Sequence, residues 1–401
     1  MALPLLVYRS LRQHALSTLV TATSIALACG LLMTVWVVKK QAQSAFSSTA
    51  TTFDAVLGAR GSKLQLVLNA IFHLEASPGN LAWADYEAVR RHPLVKTAIP
   101  IAVGDNYLGY RLVGTLPDAL RTLELAPGRP LTVQSGRFIA GTAAKEALVG
   151  SFVAQRLRLH VGDRFHPYHG LDYNPAARHE DEYAVVGLLA PTNTPADRVL
   201  WIPIEGLQTM RGHDPRTAEE ISAVLLQLRT PAAGFMLDHQ YNRQGTRLTL
   251  AYPVGSIVAE LFARIGWVDR VLALVAYLVA VVAAGSVLAS IYNSMAARRR
   301  DLAILRALGA RRRTIFGAVV CEAAAIGALG SVTGWAVYAV LFTAVARVVR
   351  SETGVVLDAV ARDRVLWLCP LGMVGLCALG GLVPAWKAYR TPVAETLAPV
   401  S

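Results

Sequence analysis

Apolar positions fall into two regimes along the chain. Four stretches, Leu16–Val38, Val271–Tyr292, Thr314–Ala344 and Val365–Val383, run almost without charge, and each is long enough to cross a hydrocarbon core that takes about 20 helical residues. The pattern predicts a tail over 1–15, membrane helices over 16–38, 268–295, 314–345 and 365–383, and a large domain over 39–267 between the first two. It leaves a loop over 296–313, a short loop over 346–364 and a tail over 384–401. The third helix is longer than a straight span needs, so it should tilt or project past the bilayer. Gly317, Gly327, Gly330 and Gly334 lie within it, and small residues of this kind let another helix approach closely. "IALACG" around Cys29 imitates a lipoprotein processing site, but the apolar run continues through "LLMTVWVV". A cleaved signal has an apolar region of about 7–15 residues, so this helix is read as retained.

The domain over 39–267 has a different texture. "KTAIPIAVG", "YRLVGTL", "YAVVGLLA", "RVLWIPI" and "SAVLLQL" are rich in β-branched and alternating apolar residues and predict strands. "LAWADYEAVRRH" and "KEALVGSFVAQRLRL" have helical spacing. Gly58–Leu74 reads as one amphipathic or buried helix, and Asp163 in "LHVGDRF" reads as a tight turn into a strand. "VGSIVAELFARIGWVDRVLAL" predicts a helix running straight into the second span. The fold class is therefore a four-helix membrane protein carrying a large mixed α+β domain.

Composition agrees, with 54% hydrophobic and only 16% charged residues against about 25% charged in soluble domains. The net charge of +12 is placed unevenly. Arg9 and Arg12, the seven arginines between Arg298 and Arg313, and Lys387 and Arg390 face only Asp301 and Glu395 in their segments. Cations near helix ends mark the cytoplasmic side, which predicts an N-in, C-in topology with residues 39–267 outside. These arginines abut membrane spans and lack the interleaved aromatics of a nucleic-acid surface. The chain contains no GxxxxGK[ST] phosphate loop, so it has no visible means of hydrolysing ATP itself. Cys29, Cys321, Cys369 and Cys377 all fall in the apolar spans, leaving the outer domain to hold together without disulfides.

Between the second and third spans, "RRRDLAILRALGARRR" predicts a short helix, since Leu302, Leu305 and Ile304, Leu308 recur at spacings of three and four. Gly309 supplies its C-terminal stop. An apolar stripe bracketed by cations has to be covered by lipid headgroups or by a protein groove. The whole stretch "RRRDLAILRALGARRRTIFGAVVCEAAAIGALGSVTGW", with "ALVGSFVAQRLRLHVGDRF" upstream and "PAWKAYRTPVAETL" at the end, resembles the permease subunits of the ABC transporters that include MacB, LolCDE and FtsX. The family pattern of basic run, acidic residue, apolar block, second basic run and later glutamate falls on Arg298–Arg300, Asp301, Ile304–Ala310, Arg311–Arg313 and Glu322.

The resemblance implies a chain that is not an enzyme by itself. It implies a cytoplasmic ABC ATPase as partner, which alone uses ATP, and a second permease chain forming a homodimer or heterodimer. It implies a bacterial inner membrane, an outer domain in the periplasm or outside, and mechanical movement of that domain to export or extract a substrate. It further implies that Asp301, Leu302, Ile304, Leu305, Arg306, Leu308 and Gly309 make the ATPase contact, with Glu322 in the third helix serving coupling or packing. "LLAPTNTPADRVLWIPIEGL" and "LGARGSKLQLVLNAIFHLEASPGN" resemble a branch of unassigned substrate, so macrolide or lipoprotein specificity is not carried over. An FtsX-like regulator of an outer partner shares the same engine. A membrane receptor is the rival from another class, although it predicts a cytoplasmic output domain that the short loops do not supply.

Two polar features of the outer domain remain. Asp197 and Arg198 sit in a proline-bracketed loop, where they can pair, shape a turn or meet a periplasmic or lipoprotein partner. "HPYHGLDYNPAARHEDEY" collects His166, His169, Asp172, His179, Glu180, Asp181 and Glu182. Imidazole and carboxylate are ligands that Zn²⁺ takes, and His166, His169 and His179 are the candidates, but the spacing fits no closed motif and equally suits a solvated insertion. No catalytic constellation stands out.

Overall fold

The computed structural model describes residues 3–50, 52–126, 129–297, 310–358 and 363–390. Its described residues divide into two units, one drawn from 1–41, 266–347 and 358–401, the other from 42–265 and 348–357.

The first unit is helical. Four helices are long and apolar enough to cross a membrane, over Ala15–Phe46, Val254–Asn293, Arg312–Thr353 and Val365–Lys387. A short amphipathic helix, Leu3–Gln13, precedes them. Large apolar side chains such as Leu272, Val282, Val340 and Leu371 are exposed on these helices, as a lipid-facing surface requires and a water-facing one does not. The small residues behave as their positions predict at three of four sites. A Cβ on Gly330 would stand 2.6 Å from Ile25 Cβ, one on Gly334 3.1 Å from Cys29 Cβ, and one on Gly327 2.9 Å from Cys377 Cβ. The third helix thus packs on the first and the fourth through its glycines. Among the described residues, a Cβ on Gly317 would meet nothing within 4 Å.

The second unit is built on a mixed sheet. Its strand order is Leu248–Ala251, Ala55–Ala59, Ala223–Leu228, Val95–Tyr107, Tyr110–Thr115, Leu200–Pro203, Glu146–Val149, Tyr183–Leu189 and Val133–Gly136. Two pairings are parallel, Tyr110–Thr115 with Leu200–Pro203 and Glu146–Val149 with Tyr183–Leu189. Side chains alternate between two cores. Leu57, Leu112, Leu200, Ile202, Val224 and Leu226 enter one, while Val56, Val113, Trp201 and Leu225 enter the other. Because both faces are covered, the strands are apolar at successive positions, which is why they read as near-continuous apolar runs. Helices Trp83–Arg90, Ile204–Gln208 and Pro231–Asp238 contribute to the first core, and Lys63–Ala70 to the second.

Two sequence expectations need correction here. Only Lys63–Ala70 of Gly58–Leu74 is helical, capped by Ser62, because Ala55–Ala59 is an interior strand paired on both edges. "KEALVGSFVAQRLRL" divides into strand Glu146–Val149 and helix Ser151–Leu157. A Cβ on Gly150, at the junction, would fall 2.4 Å from the Asp197 carbonyl oxygen. The helix predicted into the second span is continuous over Val254–Ala297.

Candidate functional site

The outer unit gathers four metal-ligating side chains at one place. Asp105 lies near the end of strand Val95–Tyr107, directly opposite His169 of the two-residue strand Tyr168–His169. His179 follows the short turn Pro175–Ala177, and His213 follows helix Ile204–Gln208. One potential ligand atom from each lies within 4.8 Å of all the others. Three imidazole nitrogens converge on one carboxylate oxygen, with His169 Nδ1 at 3.4 Å, His179 Nε2 at 3.3 Å and His213 Nε2 at 3.2 Å from Asp105 Oδ1.

Local chemistry explains why the four meet. Leu108 and Gly109 both have positive φ, giving the tight two-residue turn that returns the chain from Tyr107 to Tyr110. Buried Asn106 accepts from Gly109 N at 2.9 Å and donates to the Gly170 and Asp172 carbonyls at 2.9 and 3.1 Å. It therefore clamps the segment carrying His169 to the strand carrying Asp105. On the other side, Asp181 pairs with Lys145 and accepts from Arg211 N at 2.6 Å. The Arg211 carbonyl in turn takes the His179 Nδ1 proton at 2.7 Å. Gly212 turns with φ +97°, and His213 N closes the bend onto the Met210 carbonyl at 3.2 Å.

The electrostatics of the cluster are those of a buried anion among imidazoles. Burial alone would push the Asp105 carboxyl up, but the hydrogen bonds and charges of His179 and His213 outweigh it and hold it below the usual carboxylate range. The hydrogen bond to Asp105 raises His179 against the opposing effect of burial. The Asp105 side chain has no exposed surface, whereas that of His169 is 61% exposed. Among the described residues no lysine or arginine pairs with Asp105; all its ion-pair partners are histidines.

Of the histidines expected from the 166–182 loop, His169 and His179 are in this cluster and His166 lies apart. His166 Nδ1 sits 3.1 Å from the Asp181 carbonyl oxygen and its Nε2 4.0 Å from Glu182. Asp172, Glu180 and Glu182 also fall outside it, and Asp181 serves as support rather than ligand. Asp105 and His213 were not singled out by the loop. The one local signal for Asp105 is a charge following glycine at the end of the apolar run "AIPIAVGD"; for His213 it is an imidazole in the turn "RGHDP".

The loop around Asp197 and Arg198 is a structural turn in which the two do not pair. Asp197 accepts from Thr192 N, Thr192 Oγ1 and Asn193 N at 3.0, 2.8 and 2.9 Å, and Arg198 donates to the Glu352 carbonyl.

Asp301, Leu302, Ile304, Leu305, Arg306, Leu308 and Gly309 lie outside the described residues. Their flanks are described, and within the helical unit they meet at one end. Ser10 of helix Leu3–Gln13 donates to Glu322 of the third membrane helix. Arg312 stands 5.7 Å over the Tyr389 ring, and Lys387 donates to Tyr292 Oη at 2.6 Å. The basic ends of the N-terminal, third and fourth helices thus gather where the second helix ends.

Two family models match the chain, one described as MacB-like periplasmic core domain over residues 15–234, the other as FtsX-like permease C-terminal over residues 273–393. The periplasmic region of MacB from Actinobacillus actinomycetemcomitans is 9% identical, with a TM-score of 0.34, over 53% of this chain and 94% of that one. The extracellular domain of the ABC-type transporter YknZ from Gram-positive bacteria is 16% identical, with a TM-score of 0.30, over 49% of this chain and 97% of that one. No curated protein matches the chain. With one family model matching more than half of the chain and the second most of the remainder, the chain belongs to the MacB/FtsX-like family of ABC transporter permeases.

Proposed function

We propose that this chain is the membrane subunit of an ABC transporter in which a separate cytoplasmic ATPase drives movement of the outer domain, exporting or extracting a substrate at the outer face of a bacterial inner membrane. The observation that carries this reading is the sequence spacing of Leu302, Ile304, Leu305 and Leu308 between two arginine triplets, which predicts an apolar stripe. A stripe of that kind needs a covering partner, and permeases of this family work with an ABC ATPase. Helix Val254–Ala297 supports a mechanical route, since its 44 residues are about twice what one span uses and it contains no proline. A second permease chain would complete the transporter. Glu322, held by Ser10, serves as a coupling or packing residue between the N-terminal helix and the third span.

Purification of the full chain from detergent after co-expression with the ATPases of the same cell tests this. The expected result is a stoichiometric ABC ATPase in the purified complex, lost on Leu305→Asp while the variant stays monodisperse. Absence of any ATPase, or retention of it at full yield by Leu305→Asp, would overturn the coupling assignment.

A further inference from the structure

We propose that the outer domain binds one Zn²⁺ ion through Asp105 Oδ1, His169 Nδ1, His179 Nε2 and His213 Nε2. Four observations, independent of the ATPase partner, carry this assignment.

The first is geometric. A tetrahedral zinc site with metal–ligand bonds of about 2.1 Å has ligand–ligand edges of about 3.4 Å. The three edges meeting at Asp105 Oδ1 measure 3.4, 3.3 and 3.2 Å. Charge-assisted hydrogen bonds from imidazolium to carboxylate are shorter, about 2.7–2.9 Å. The remaining separations, all within 4.8 Å, have to contract, and the exposed His169 ring has room to swing inwards.

The second is the tautomer of His179. The Arg211 carbonyl at 2.7 Å can only accept, so Nδ1 carries a proton. Nε2 is then the ring nitrogen that faces the centre of the cluster, 3.3 Å from Asp105 Oδ1. A backbone carbonyl behind the non-ligating nitrogen is the usual outer partner of a metal-bound histidine.

The third is charge. Asp105 is fully buried, and its only ion-pair partners among the described residues are the three histidine rings, His213 Nε2 standing 3.2 Å from Oδ2 as well as from Oδ1. A buried carboxylate is costly unless a cation is close. A divalent ion held among the three imidazoles supplies that cation. Three imidazoles and one carboxylate in a compact set select a borderline metal over Mg²⁺ or Ca²⁺, which take oxygen ligands.

The fourth is access. A groove of about 370 Å³ opens beside the cluster, lined by His169, His213, Asp214 and Glu220 among others. An ion can therefore enter from solvent without the domain unfolding. Bound there, it would cross-link the strand hairpin, the 168–179 excursion and the 211–213 turn.

The test uses the full chain in detergent, purified without a polyhistidine tag and stripped with a chelator. Co²⁺ is titrated first, as a spectroscopic probe of geometry, and Zn²⁺ is then added in competition. One Co²⁺ per chain with the intense visible absorption of a tetrahedral site, displaced by one equivalent of Zn²⁺, is expected. Asp105→Asn and His213→Ala should weaken Zn²⁺ binding at least a hundredfold. His169→Ala, altering an exposed side chain that the fold does not depend on, should weaken it at least tenfold and abolish the tetrahedral spectrum. His166→Ala should leave both unchanged. No stoichiometric binding by the folded wild type, or full binding retained by His169→Ala, would overturn the proposal. So would a dependence on His166 in place of His213.

Discussion

Asp105 and His169 face each other directly across an antiparallel strand pair, and His169 Nδ1 stands 3.4 Å from Asp105 Oδ1. One residue is wholly buried and the other largely exposed, so the pair spans the boundary between core and solvent. A ligand bound between them stabilises the folded outer domain only, by about 2.7 kcal/mol at a hundredfold excess over its Kd. Zn²⁺ at that excess should raise the urea midpoint of the chelator-stripped full chain, read by tryptophan fluorescence. Asp105→Asn should show no such rise.

Asn106 is expected to matter more for the loop than for the core. Its amide holds the Gly170 and Asp172 carbonyls, and truncation leaves both without that donor, at a cost of about 1–3 kcal/mol. Asn106→Ala should speed amide exchange and proteolytic cleavage across residues 168–182 while exchange in strand Ala223–Leu228 stays slow. Equal acceleration in both segments would show that the side chain does not act locally.

His73 is a built-in acid sensitivity. Burial lowers its pKa from 6.5 to about 3, so between those values the unfolded chain binds a proton there that the folded chain does not. Stability due to this position is therefore full above pH 6.5 and is lost as pH falls towards 3. His73 has φ 53°, a conformation that asparagine tolerates. In His73→Asn the loss of unfolding free energy between pH 6.5 and pH 5 should be smaller than in wild type by about 2 kcal/mol. Identical pH profiles for the two proteins would contradict the assignment.

Gly330 should be intolerant of a side chain. Its Cβ position lies 2.6 Å from Ile25 Cβ and 2.9 Å from the Ala22 carbonyl oxygen, and overpacking of this kind costs about 1–3 kcal/mol. Gly330→Val should lower the temperature at which half of the detergent-solubilised protein remains monodisperse. Gly317→Ala, at a position with nothing within 4 Å, should leave it unchanged.

The histidine-rich loop shows where one-dimensional reasoning stopped. His169 and His179 stood out because their neighbours in the chain are also histidines and acids. His166 stood out for the same reason, yet it turns to the Asp181 carbonyl. Sequence proximity in a loop says little about which rings share a direction. Direction is set here by Asn106, Asp181 and the Arg211 carbonyl, each acting through a contact between residues far apart in the chain.

Local patterns determined the membrane helices and five strands of the outer sheet, and the resemblance of longer motifs pointed to the family. Spanning a bilayer requires about 20 consecutive apolar residues, and strands covered on both faces require apolar side chains at successive positions. The split of "KEALVGSFVAQRLRL" at Gly150 and the shortening of the Gly58–Leu74 helix were decided by the tertiary structure, through the Asp197 backbone and the sheet neighbours of Ala55–Ala59. Above all it decided that Asp105, His169, His179 and His213 converge. Their meeting depends on strand register and on two turns, and neither leaves a periodic mark in the sequence around a single aspartate or a single histidine.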